Sequence, residues 1–381
     1  MINIQSPIQC CGCSACYAIC KHNAIQMQPD KLGFLYPSVN PTLCIDCGLC
    51  NKVCMFVKPR KEINDTSTIV AYAVQHKELE EVKTSRSGAV FIALSDWILR
   101  QSGVVYGVGY KTAFIVSHKR AETKIQRDEF KGSKYAQSSM GNIFRQVKDD
   151  LTQNRIVLFS GTPCQIDGLK SFLGKWASHH NLYLIDIVCH GVGSPAIWRD
   201  YITYLERSYK QQIVSLSFRD KDLFGWDGLH KESFIFTDGK KRTFQYTYYS
   251  DIHLRQSCNV CPYANLARVS DITIGDFWGF ERTCVNWEQA KQGISLAICS
   301  TDKGKFLFQE VTTALRYAEV KLEDIIQPNL LHPTPLHPDR DCFEQDYSLH
   351  GFRYIQKKYG EIGLKYHVSR FKRIVKRVFK L

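Results

Sequence analysis

Residues 10–20 read CCGCSACYAIC and residues 44–54 read CIDCGLCNKVC. Laid over one another, Cys10, Cys13, Cys16 and Cys20 fall on Cys44, Cys47, Cys50 and Cys54, each 34 positions further on. Cys11 has no counterpart in the second run. The chain holds 16 cysteines in 381 residues. Its start, MINIQSPIQCC, carries neither the basic stretch nor the apolar stretch of a secretory signal. Clustered cysteines in a reducing compartment are metal ligands or catalytic groups more often than disulfides.

Each run has the spacing C-x2-C-x2-C-x3-C, the bacterial-type ferredoxin pattern for two 4Fe-4S clusters. Three cysteines in a tight turn wrap three corners of a cube, and the fourth opens the next segment and serves the other cube. The spacing therefore assigns Cys10, Cys13, Cys16 and Cys54 to one cluster and Cys20, Cys44, Cys47 and Cys50 to the other. Zinc is the alternative, but it is usually held by two separated pairs. The proline usual after the fourth cysteine is replaced by Lys21 and Met55, which removes a rigid turn and no ligand. Between the runs, AIQMQ and FLYPSV alternate around DKLG and predict a hairpin. Gly12 and Gly48 relieve crowding near the sulfurs. Cys11 reads as a bystander, with a ligand-swap role as the lesser alternative.

Two adjacent clusters imply a donor and an acceptor, so the rest of the chain is expected to hold or dock a two-electron centre. KPRKEINDTST over 58–68 reads as a linker after a ferredoxin-type domain at 1–57. Beyond it, IVAYAV, VVYGVGY, RIVLFSG, LYLIDIV and IVSLSF read as strands. Helical stretches lie between several of them, which predicts a mixed α/β domain over 69–345 and an α+β chain as a whole. ESFIFTDGKKRTFQYTYY reads as a hairpin turning at Asp238-Gly239.

Three turns join backbone N–H groups to hydroxyls or a cation, the chemistry that holds a phosphate. They are Ser85-Arg86-Ser87-Gly88, Gly132-Ser133-Lys134-Tyr135 and Gly161-Thr162 before Pro163. Ser and Thr also cap helices for purely structural reasons, so each turn alone is a weak signal. Gly191-Val192-Gly193-Ser194-Pro195-Ala196 imitates a dinucleotide fingerprint, but Ser194-Pro195 already accounts for a helix start. Cys258-x2-Cys261 is half of a further metal site. Cys164, in the first turn of a helix, and Cys189, at a strand end, are the thiols best placed to complete it, both at the C-terminal edge of a parallel sheet. The set reads as a third 4Fe-4S cluster. Zinc at Cys258 and Cys261, or a redox-active thiol at Cys164, are the alternatives. His190 is either a proton carrier beside a redox centre or a structural histidine. Cys299, in ISLAICS, reads as core.

Several of these segments resemble the coenzyme F-420 hydrogenase/dehydrogenase beta-subunit family. TSRSGAV, GSKYAQS, GTPCQIDGL, DIVCHGVGSP, FRDK, CNVCPYA and SDITIGDFWG occur in the family's order, and the resemblance covers roughly residues 1–285. It implies an oxidoreductase with FAD beside a 4Fe-4S cluster, exchanging electrons with a deazaflavin or another acceptor. On that resemblance, residues 85–88 and 132–135 contact the flavin. Cys164, Cys189, Cys258 and Cys261 hold the adjacent cluster, and Asp276 and Trp278 lie near the same site. His190 and Asp276 are the catalytic candidates. Arg86 stands where relatives often have a longer serine–glycine run. It then either pairs with a flavin phosphate or points to solvent. A separate electron-carrier role, docking to another reductase, is the rival reading.

The net charge of +13 is concentrated at the end of the chain. Residues 364–381 carry seven Lys or Arg and no acidic residue, so the rest of the chain carries 13 − 7 = +6. That weakens a nucleic-acid reading from pI alone. Leu364, Val368, Phe371, Val375 and Val378 fall on one helical face of an expected basic tail over 346–381. Such a helix suits an anionic membrane surface, an acidic partner protein or plain terminal packing. No apolar run reaches the roughly 20 residues of a membrane span. The expected location is cytoplasmic, with peripheral contact at the inner membrane face through the tail.

Overall fold

A computed structural model describes residues 1–58, 66–228, 230–283 and 286–360. The basic face expected over 364–381 lies outside the described residues.

The N-terminal region is built as its repeat dictates. Each cysteine run turns into a short helix, Ala15–Ile19 and Leu49–Lys52, with the antiparallel strands β1 (Ile25–Pro29) and β2 (Leu35–Val39) between them. The backbone repeats along with the sequence. Residues 12 and 46, and 14 and 48, flank the second cysteine of their runs, and all four adopt a left-handed conformation, with φ of 71°, 51°, 65° and 71°. At 12 and 48 glycine takes this conformation at no steric cost, while Asp46 and Ser14 tolerate it as short polar residues. The double reversal turns backbone N–H groups toward sulfur, as in the 3.4 Å bond from Gly12 N–H to Cys10 Sγ.

The body is organised by one mixed sheet. Among the described residues its strands run in the order β13-β3-β12-β11-β7-β6-β4-β5. They are β3 (Val70–His76), β4 (Val104–Tyr110), β5 (Val116–Ala121), β6 (Val157–Gly161), β7 (Leu182–Ile187), β11 (Ile272–Asp276), β12 (Ser295–Cys299) and β13 (Leu315–Val320). β4, β6, β7 and β11 are mutually parallel, and β5, β12 and β13 run against their neighbours. Parallel central strands are covered on both faces and so are continuously apolar. Val157, Leu158, Phe159, Leu182, Leu184 and Ile185 are all buried. Cys299 ends β12 in the core, as expected. The helices Val90–Arg100, Ile143–Thr152, Pro163–Leu173 and Asp302–Val311 flank the sheet.

A second, antiparallel sheet holds β8 (Ile213–Ser217), β9 (Glu232–Phe236) and β10 (Lys241–Phe244), with its turn at Gly239 as the sequence predicts. It packs with the helix Pro195–Tyr209 in an aromatic core that includes Trp198, Tyr201, Phe234 and Tyr246. Ser194 accepts the Ile197 N–H and Pro195 opens the helix, so the dinucleotide-like GVGSPA stretch is a helix cap.

The chain end differs from expectation. The helix Arg340–His350 runs through the expected tail boundary at 346, and Phe352 and Ile355 of the following helix, Phe352–Lys358, are buried in the aromatic core. Residues 346–358 belong to the body because Phe352 and Ile355 anchor them in that core. Among the described residues no helix is long and apolar enough to cross a membrane.

Candidate functional site

Parallel strands bring their C-terminal ends to one edge of the sheet, and the loops there form the site. β6 ends at Gly161 and runs straight into the helix bearing Cys164. Thr162 caps that helix reciprocally with Gln165, and its hydroxyl lies 3.2 Å from Cys164 Sγ. Gly161 and Thr162 therefore serve the helix start and the thiol beside it. β7 leads into Cys189 and His190 two residues past its end. Cys258 and Cys261 arrive on the short helix Gln256–Val260 and the turn after it.

These four thiols line one cavity, together with Cys11, Gln137, His190 and Tyr263. Two buried arginines place the C-x2-C segment. Arg255, wholly buried, donates to the carbonyls of Cys10 (2.7 Å) and Leu35 (3.0 Å) and to Gln137 Oε1 (2.7 Å). Arg268 donates to the carbonyls of Tyr263 (2.7 Å) and Ile187 (3.1 Å) and pairs with the buried Asp186 on β7. Burial pushes the Cys258 thiol up to about 12 and the Cys261 thiol to about 11, with the charge of neighbouring Cys164 adding to both. Cys189 is raised by burial and then by Cys258, Cys164 and Cys261. Four thiols packed this closely cannot all ionise without added positive charge, which is the donor chemistry that an iron–sulfur cube fits. Among the described residues no three His, Cys, Asp or Glu side chains are grouped as a single-ion site.

The N-terminal region docks directly on this cradle. Cys11, Cys13, Met55, Phe56, Cys164, Cys261 and Tyr263 form one apolar cluster. Tyr263 donates to Asp167 Oδ2 (2.7 Å) on the Cys164 helix. Arg145 donates to the carbonyls of Tyr17, Ala18 and Cys20 at the end of the first cysteine helix. The Ser194 hydroxyl donates to the Leu32 carbonyl at 2.6 Å. Within the N-terminal region, burial pushes the Cys16 thiol up to about 12, and the charges of Cys10, Cys54 and Cys50 add to it. On the outer side Cys47 is exposed, as are Leu43 and Ile45.

One aromatic layer separates the cradle from a pocket of cations. Tyr135 stacks on Tyr248 with ring centroids 4.7 Å apart, and Tyr248 donates to the Gly191 carbonyl (3.0 Å) next to Cys189 and His190. Beyond Tyr135 lie Arg219, Arg86, Lys221 and Asp276. Arg219 Nη1 meets Asp276 Oδ2 at 2.8 Å, and the guanidinium lies over the Trp278 ring at 5.1 Å. Arg86 donates to the carbonyls of Arg219 (2.9 Å) and Trp226 (2.6 Å) and reaches Asp276 at 3.7 Å. Burial, then the charge of Arg86, pushes the Lys221 ammonium down to about 8. Two guanidiniums thus meet one carboxylate, while the Lys221 ammonium beside them donates to the carbonyls of Val82 and Gln292. Among the described residues Arg219 Nε and Nη2, Arg86 Nε and the Ser85 hydroxyl are buried without a hydrogen-bond partner. Buried donors left unpaired are costly and signal a missing acceptor.

The structure divides the expected phosphate turns. Arg86 faces the cation pocket, and the hydroxyl of the preceding Ser85 is buried without a hydrogen-bond partner. Ser87 instead donates to the Ile294 carbonyl (2.7 Å), and a β-carbon at Gly88 would stand 2.1 Å from the Val74 carbonyl oxygen, so both serve packing. In the second turn only Tyr135 reaches the pocket. Lys134 donates to the carbonyls of Glu129, Lys131 and Gly132, within its own loop, and Gly132 borders open space. Ser133 is half-buried beside it. His190 and Asp276 do not meet. His190 pairs with Asp251 (2.6 Å) and Asn329 (3.2 Å) at the cradle, whereas Asp276 holds Arg219 and accepts from Trp226 Nε1 (2.9 Å). Sequence reasoning missed the roles of Arg219, Lys221, Arg255 and Arg268. Arg219 and Lys221 lie within FRDK, and the two arginines bracket the C-x2-C pair.

This geometry defines a class: an iron–sulfur electron-transfer protein in which a two-cluster N-terminal domain is docked on a mixed-sheet body. Residues 154–325 match the family described as the C terminus of the coenzyme F420 hydrogenase/dehydrogenase beta subunit, and residues 9–57 match the 4Fe-4S dicluster domain. The chain thus carries the C-terminal domain of that beta-subunit family at 154–325, behind a 4Fe-4S dicluster domain at 9–57. A solved chain from the F420-reducing [NiFe] hydrogenase complex of Methanosarcina barkeri is similar at 14% identity and a TM-score of 0.46, covering 77% of this chain and 90% of that one. No curated protein gave a match.

Proposed function

We propose that the chain is an iron–sulfur flavoprotein oxidoreductase carrying three 4Fe-4S clusters and FAD. Cys10, Cys13, Cys16 and Cys54 hold the first cluster, and Cys20, Cys44, Cys47 and Cys50 the second. Cys164, Cys189, Cys258 and Cys261 hold the third. The second cluster faces outward at the exposed Cys47, and the first abuts the cradle through Cys13. Clusters pass electrons singly, and a flavin links such steps to two-electron chemistry with a deazaflavin-like or other acceptor. Arg219, Arg86, Lys221 and Ser85 bind the anionic part of the flavin, and Asp276 orients the two arginines. Tyr135 and Tyr248 form the wall between flavin and cradle and exclude water. His190, held by Asp251, is placed to move a proton at the cradle. A protein redox partner meets the exposed end at Leu43 and Ile45, and the family setting as a beta subunit supports such a partner.

The observation that carries this reading is the sequence of layers along one sheet edge: thiol cradle, tyrosine pair, then unpaired buried guanidinium donors. Anaerobically purified protein is expected to show a flavin spectrum with about twelve irons and matching acid-labile sulfide. About eight irons without flavin would instead make the chain a pure electron carrier.

A further inference from the structure

The cradle contains one thiol more than a cube can use. Cys11, Cys164, Cys189, Cys258 and Cys261 line the same cavity, and a 4Fe-4S cluster takes four cysteines. Cys11 is 7% exposed, while Ile45, at the equivalent position of the second run, is 64% exposed. The repeat therefore does not demand an inward residue at this position; docking on the body turns it inward only in the first run. The loop that carries it is fixed. Gln137 Nε2 donates to the Cys11 carbonyl at 2.8 Å, and Arg255 holds the carbonyl of Cys10. A β-carbon at Gly12 would stand 2.8 Å from Gln137 Nε2 and 2.9 Å from Arg255 Nη1. The Cys11 thiol packs with Cys13, Cys164 and Cys261. It stands between a ligand of the first cluster and a ligand of the third.

We infer that Cys11 is an alternate ligand of the third cluster, exchanging with Cys164; this rests on the reading of Cys164, Cys189, Cys258 and Cys261 as a cluster site. In the exchange the iron bond to Cys164 sulfur breaks and the bond to Cys11 sulfur forms. The proton of the Cys11 thiol passes to Cys164, and no electrons are gained or lost. Thr162, whose hydroxyl meets Cys164 Sγ, favours Cys164 as the resident thiolate.

The test uses the full chain, prepared anaerobically, with iron and acid-labile sulfide counts and the electron paramagnetic resonance of the reduced clusters. The variants are Cys11→Ala, Cys164→Ala and the double substitution. Both single variants are expected to keep about twelve irons, with the third cluster's signal shifted in Cys164→Ala, and the double variant about eight. A Cys164→Ala protein that already falls to about eight irons overturns the exchange, as does a Cys11→Ala protein that does so. A wild-type protein with about eight irons instead overturns the third-cluster reading itself, and the inference with it. Circular dichroism and the spectrum of the two N-terminal clusters establish that each variant is folded.

Discussion

A β-carbon placed on Gly168 would stand 2.8 Å from both Cβ and Sγ of Cys13. Gly168 lies one turn along the helix that begins beside Cys164, so the same helix touches Cys13 and carries Cys164. Real β-carbons do not approach other atoms so closely, and Cys13 would have to move. Gly168→Val is expected to lose the first cluster, a fall of about four irons, with the second retained. The iron and acid-labile sulfide counts check it. Unchanged iron would show that the helix and the first cysteine run yield independently.

The Arg268–Asp186 pair is buried on both sides, with side chains 1% and 0% exposed at a separation of 3.1 Å. Removing one member of such a pair leaves an uncompensated charge and costs about 3–5 kcal/mol. Arg268→Met is expected to destabilise by that amount, read as a lower anaerobic melting temperature. Arg268→Met with Asp186→Leu should recover part of the loss, because no lone charge remains. Recovery is partial because the Tyr263 and Ile187 carbonyls lose their donor.

The cation pocket predicts opposite effects for neighbouring residues. Arg219→Met removes a buried guanidinium with unpaired donors and is expected to weaken flavin retention about tenfold or more, equivalent to about 1.4 kcal/mol. Asp276→Asn removes the carboxylate facing Arg86 and Arg219 and is expected to keep the anion bound, or hold it more tightly. Flavin released per polypeptide and quenching of Trp226 and Trp278 fluorescence measure both. Equal flavin content in Arg219→Met and wild type would remove this pocket as the anion site.

Two histidines are buried neutral. Nε2 of His118 donates to the Ser160 carbonyl, and its Nδ1 meets the Ser138 hydroxyl. His253 accepts the Ser194 N–H at Nδ1. Burial pushes His118 down to about 4 and His253 to about 3. Their unfolded value is about 6.5, so the unfolded chain binds protons that the fold refuses. Their contribution is complete above pH 6.5 and is lost as pH falls toward the folded values. Between pH 6.5 and 5 each is expected to cost about 2 kcal/mol. Denaturant unfolding at several pH values should show that slope, and His118→Gln should remove about half of it.

The sequence alone determined what is local and periodic. The spacing of the cysteine runs determined the dicluster domain, and the Ser194-Pro195 cap and the Asp238-Gly239 turn were readable because their hydrogen bonds close within a few residues. The placing of Cys164 and Cys189 together at one sheet edge was also legible, since a strand followed by a helix fixes which end its loop occupies. The segments 85–88 and 132–135 were only half legible: hydroxyls and glycines look alike whether they cap, pack or bind. Tertiary structure alone put Arg86 and Tyr135 beside Arg219 and left Ser87, Gly88 and Lys134 to their own surroundings. It alone turned Cys11 inward and Ile45 outward from equivalent positions of a repeat. It also brought Arg255 to Cys10 across 245 residues of chain. The physical reason is that burial belongs to the surfaces that meet when the two regions dock, and no spacing along the chain encodes which face of a repeat will be covered.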